Sequence, residues 1–88
     1  MRVKEGFIVK NVADAYAVVP VGDNLVDFGA MLTLNETGAF LWKHLENDIT
    51  AEQLCEALMG EYNVDKVTAQ RDIAEFLNIL DSHEILER

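Results

Sequence analysis

The sequence predicts an α+β fold in which three N-terminal antiparallel strands are followed by three helices, and two observations carry that prediction. Up to Leu34 the apolar residues come as short β-branched or aromatic runs broken by turn-forming residues, whereas from Asn35 onward they recur at i, i+3 and i+4. The charge divides at the same place. Of the formal net charge of −9, residues 1–34 carry −1 and residues 35–88 carry −8, as expected if the second part consists of surface helices with solvated polar faces.

The strand runs are Phe7-Ile8-Val9, Tyr16 to Val21 and Met31 to Leu34, separated by Asp14-Ala15 and by Gly22-Asp23-Asn24, which makes a meander within residues 5–34. Pro20 has no N–H to give to a ladder and belongs near a strand end or on an unpaired edge. Gly29 marks a bend or bulge before the third strand.

Helix one, over about 35–47, starts with Asn35 as N-cap and Glu36 in the first turn, and its apolar face is Phe40, Leu41, Trp42 and Leu45. Helix two, over about 51–60, opens on the capping box Thr50-Ala-Glu-Gln53 and carries Leu54, Cys55, Leu58 and Met59, with Gly60 near its end. Helix three is capped by Asp65, runs to about Ser82 and turns Ala69, Ile73, Phe76, Leu77 and Leu80 inward, before Ile85-Leu86 closes the chain. Helices this short are marginal alone, and so is a small meander. The two parts must therefore bury each other's apolar faces as one domain over 1–88. Three strands, then three helices with a short Glu61 to Val64 connection between the last two, suggest a winged helix-turn-helix-like arrangement.

An 88-residue chain buries only about 60–65% of its unfolded surface, which leaves little room for an elaborate catalytic cleft. Half the residues are apolar, so the chain builds a core and is not disordered. Its acidity repels phosphate backbones and anionic lipid, so neither nucleic acid nor membrane is an expected partner. There is no secretory h-region behind the first residues and no apolar stretch of spanning length. The single Cys55 has no disulfide partner, which fits a reducing cytoplasmic compartment.

The inventory of reactive groups is thin. Cys55 sits on the apolar stripe of helix two and is read as a core thiol. His44 and His83 have no His or Cys at i+3 or i+4, so neither starts a metal site, and both are read as solvated. The expectation is no catalysis, no metal and no cofactor. Asp27-Phe28-Gly29 matches a kinase tripeptide without any of the other kinase elements, and Asn35-Glu36-Thr37 matches a glycosylation sequon at what is better read as a helix cap; both are discarded.

The segment from Leu34 to Trp42 reads Leu-Asn-Glu-Thr-Gly-Ala-Phe-Leu-Trp, and with it the chain resembles the PqqD-like family. The resemblance extends to an opening like Glu5-Gly-Phe-Ile-Val-Lys10, the Val-Val-Pro-Val strand at 18–21, Ile49-Thr50 through Leu58, Tyr62-Asn-Val-Asp65, and a final helix leading to Ile85-Leu86. It implies a winged helix-turn-helix recognition element for ribosomally made, post-translationally modified peptides. Such an element is a non-catalytic peptide chaperone: it binds the leader of a precursor peptide and presents it to a modifying enzyme, frequently a radical S-adenosylmethionine (radical SAM) enzyme whose clusters belong to that partner. The namesake pathway makes pyrroloquinoline quinone (PQQ), although the signature here is more like the broader stand-alone group.

The resemblance also implies where a leader sits: as a strand along Met31, Leu32, Thr33 and Leu34, with apolar side chains dropped towards helix three. On that helix, 100° steps put Ile73, Leu77 and Leu80 on the core face, Phe76 at its margin and Ile79 outside it. Ala69, Asp72, Phe76 and Ile79 complete the expected peptide-binding set, with Asp72 offering a partner to a basic leader residue. Two other classes remain: a small scaffold or regulatory subunit, and a winged-helix nucleic-acid regulator. The second is disfavoured because helix three carries only Lys66 and Arg71 against Asp72, Glu75 and Asp81.

Overall fold

In the computed structural model of the chain, which describes residues 1–21 and 32–88, the elements run β1 (Arg2–Val3), β2 (Phe7–Val12), β3 (Ala15–Pro20), β4 (Leu32–Leu34), α1 (Glu36–Leu45), α2 (Ala51–Glu61), α3 (Lys66–Ser82) and β5 (Leu86–Glu87). This is the expected order of three antiparallel strands followed by three helices, in an α+β fold. The expectations for Gly29 and for the turn at Gly22-Asp23-Asn24 lie outside the described residues. The chain forms two units, one of Lys4–Phe40 and one of Met1–Val3 with Leu41–Arg88.

In the first unit β2, β3 and β4 make a sheet in that order, antiparallel throughout. The β2–β3 hairpin turns at Ala13 and Asp14, one residue earlier than the sequence suggests, and Ala15 joins the strand opposite Val12. Ala13 has φ 54°, the left-handed conformation that lets a two-residue loop follow the right-handed strand twist. Gly6, with φ 97°, precedes β2 and accepts a hydrogen bond from the Val21 N–H at 2.8 Å, so the chain closes on itself at the open end of the hairpin. Pro20 is the last residue of β3, opposite Phe7, as its missing donor requires. The register puts Val9, Val18 and Leu32 on one face, and Val18 is fully buried; Ile8, Lys10 and Val12 lie on the other face and are exposed.

All three helices start at the residues expected to cap them. The Asn35 Oδ1 accepts the Gly38 N–H at 2.8 Å. Thr50 and Gln53 form the full capping box, with bonds of 3.1 and 3.0 Å. Asp65 accepts the Thr68 N–H at 2.7 Å, and that backbone donor pulls its carboxyl below the ordinary value. The core of the second unit is built on Leu41, Leu45, Leu54, Leu58, Leu80 and Ile85, each no more than 1% exposed.

Two features at the chain ends were not expected. β1 and β5 pair antiparallel as a separate two-stranded sheet, Arg2 opposite Glu87 and Val3 opposite Leu86. Before β5, α3 ends in a Schellman arrangement: Ile85 N–H donates to Leu80 O at 2.9 Å and Glu84 N–H to Asp81 O at 3.0 Å, while Glu84 sits at φ 57°. Ile85 and Leu80, the pair that such a motif brings into apolar contact, are both fully buried. A glutamate in the left-handed region carries a steric penalty that glycine does not, and its charge also opposes the helix dipole. Glu84→Gly is therefore expected to raise the unfolding free energy by about 0.5–1 kcal/mol, read as a higher urea midpoint at unchanged slope. A lowered midpoint would show that the Glu84 side chain makes contacts worth more than the strain.

Candidate functional site

The expected peptide-binding residues fall on two elements, each built by local rules. β4 has β3 on one side, with Tyr16 opposite Leu34, Ala17 opposite Thr33 and Val18 opposite Leu32. On its other side no strand pairs with it among the described residues, and an edge of that kind is where an extended chain can add. Along β4, Leu34 is buried, Leu32 half-buried and Thr33 exposed, the alternation of a strand with one packed face. Met31 lies outside the described residues.

On α3, Asp72, Phe76 and Ile79 stand at i, i+4 and i+7 and share one stripe, with Ala69 on its core-facing flank. Ala69 is fully buried, Asp72 half-buried and Ile79 43% exposed. The reading of Ile79 as an apolar residue off the core face is thus correct. Phe76 differs: expected at the margin, it is only 8% exposed and belongs to the core. The angular position of its Cα does lie at the edge of the face, but a benzyl group reaches much further round the helix than its Cα does. Ile79 and Asp72 are thus the accessible members of the stripe, and Phe76 lies beneath them.

Of the groups read as chemically inert, Cys55 is in the core and His83 is exposed as expected, whereas His44, expected to be solvated, is half-buried. Cys55 is buried, and its Sγ lies 3.8 Å from Met59 Sδ, a weak S–H donor against a thioether in an apolar setting. His83 is exposed, its Nδ1 2.9 Å from the Ile79 carbonyl oxygen, where it caps the end of α3; His44 is half-buried. Among the described residues no three His, Cys, Asp or Glu side chains come together in a way that could hold a metal ion. No described helix is long and apolar enough to cross a membrane.

Comparison with known proteins bears on this arrangement directly. A solved structure of TbiB1 in complex with the TbiA(beta) leader peptide superposes with a TM-score of 0.77 over 99% of this chain and 95% of that one, at 26% identity. A lasso peptide synthetase B1 complexed with the leader peptide superposes with a TM-score of 0.75 over 99% of this chain and 96% of that one; at 22% identity this is a likeness of fold. No curated protein is similar enough to match. The family model for coenzyme PQQ synthesis protein D (PqqD) matches residues 16–86, from the start of β3 to the start of β5. With β4, the three capped helices and the signature from Leu34 to Trp42 all inside that span, the chain belongs to the PqqD family.

Proposed function

We propose that this chain is a single leader-peptide recognition domain that binds the leader of a ribosomally made precursor peptide and presents it to a modifying enzyme, contributing no catalytic group and no cofactor of its own. The observation that carries the reading is likeness over nearly the full length of both chains to a protein solved with a leader peptide. The leader adds as a strand along Met31 to Leu34, at the side of β4 (Leu32–Leu34) with which no strand pairs among the described residues, and backbone pairing there supplies affinity without regard to sequence. The α3 stripe supplies preference: Ile79 offers an apolar contact and Asp72 a carboxylate for a basic leader residue. The enzyme it serves is of the radical SAM type that the family resemblance implies, working in the cytoplasm. A nucleic-acid ligand is disfavoured by the charge of −9, which offers phosphates no basic stripe.

The test is a titration of the isotope-labelled chain with its leader peptide, following backbone amides. Shifts are expected at 31–34 and 69–79. Ile79→Asp should weaken binding by about tenfold or more, since it replaces an apolar contact worth roughly 1–2 kcal/mol with a charge that must be desolvated, while the exposure of Ile79 leaves the fold intact. Shifts confined to α2, or undiminished binding by the variant, would move the site elsewhere.

A further inference from the structure

Away from the Asp72–Ile79 stripe, α2 and α3 enclose a groove of about 560 Å³ within the second unit. Its floor is apolar: Cys55, Ile73 and Leu77 are each less than 9% exposed. Its walls carry Met59, 39% exposed, and the exposed Ala74. The lining residues run from Ala51 to Met59 on α2 and from Lys66 to Leu77 on α3, which at 1.5 Å per residue makes a trough about 12–16 Å long. That is the length of two to three helical turns, and a trough between two packed helices accepts a third as ridges enter a groove.

The charges around the trough select the occupant. Glu52 and Glu56, one turn apart, stand on the α2 wall. Lys66 stands at the other end, where the short link from Glu61 to Lys66 brings the end of α2 to the start of α3. A second copy of this chain is a poor occupant, since its helical part is itself strongly acidic.

We propose that the α2–α3 groove is a second docking surface, which takes an amphipathic helix of a partner protein with apolar residues at i, i+3 or i+4 and i+7 flanked by lysine or arginine. The helix lies with its N-terminal end towards Glu52 and Glu56 and its C-terminal end towards Lys66, so that its dipole and its basic side chains both meet opposite charge. This surface shares none of its lining with the Asp72–Ile79 stripe or with β4. The proposal goes beyond the leader reading and does not depend on it.

The probe is a labelled synthetic helix of about 14 residues with leucines at that spacing and flanking lysines, compared with the same peptide carrying glutamate for each lysine. The lysine peptide is expected to bind at least about tenfold more tightly, by an advantage that shrinks with added salt, and to shift amides within 51–59 and 66–77. The double variant Glu52→Lys, Glu56→Lys should abolish or invert the preference. The matched charge change at the exposed Glu46 and Glu84 should leave most of it intact, which separates docking in the groove from attraction to an acidic surface. Ala74→Glu, at an exposed position that does not threaten the fold, should weaken binding by at least about tenfold. Equal binding of the two peptides, indifference to Ala74→Glu, or shifts elsewhere would overturn the proposal. So would a dimer in sedimentation that Ala74→Glu dissolves, because the occupant would then be a second copy. The leader reading would survive each of these results, since it is judged at β4 and Ile79.

Discussion

Trp42→Ala is expected to lower the unfolding free energy by about 3–5 kcal/mol, the range for removing a large aromatic side chain from a packed core. Trp42 is only 3% exposed and stands on α1 beside Leu41 and near Leu45, which are 1% and 0% exposed, so its removal leaves a cavity in the core. A chain of 88 residues has a total stability of roughly 4–13 kcal/mol at the usual yield per residue. At the lower end of that range the variant sits close to its unfolding midpoint at ordinary temperature. With about 4–8 °C lost per kcal/mol for a domain of this size, the melting temperature should fall by about 12–40 °C in thermal circular dichroism. Trp42→Phe should recover more than half of the loss. A fall of less than about 5 °C for the alanine variant would mean that the site collapses around the missing indole and that the tryptophan is not a packing residue.

The second large effect concerns how a leader binds. N-methylation of a single leader peptide bond removes one donor and places a methyl group where the neighbouring strand must approach. Because successive N–H groups of a strand point to opposite sides, a scan of single N-methylations along the leader should show a period of two: losses of about tenfold or more at alternate positions and little change between them. A bound helix would hurt at nearly every interior position instead, since all its interior N–H groups are used within the helix. Loss at every position, or at none, would exclude strand addition to β4. The same scan on a chain carrying Ile79→Asp should keep its period while all affinities drop together, because backbone pairing and the side-chain contact lie on different elements.

The helical half of this protein was legible in its sequence because its signals are local. Asn35, Thr50 with Gln53, and Asp65 each satisfy donors within three residues along the chain, so the interaction that starts each helix is written inside the segment that forms it. The same holds for the stretch from Leu34 to Trp42 that carries the family resemblance. In the structure it serves the fold: Leu34 closes β4, Asn35 caps α1, and Leu41 and Trp42 are buried. The exposed Ile79 was also legible, as an apolar residue at the wrong angle for the core.

What the tertiary structure decided depends on partners distant in sequence or on side-chain reach. The β1–β5 pairing joins Arg2 to Glu87 through two residues a side; strands so short have no period to read, and their pairing is set by where the chain ends are brought together. Phe76 was placed at a margin by its Cα angle and in the core by the size of its ring. The groove between α2 and α3 was not legible, because a space between two helices is a property of their packing: Met59 belongs to the apolar stripe of its helix by spacing yet is 39% exposed, and Ala74 looks like an ordinary surface position until both walls stand together.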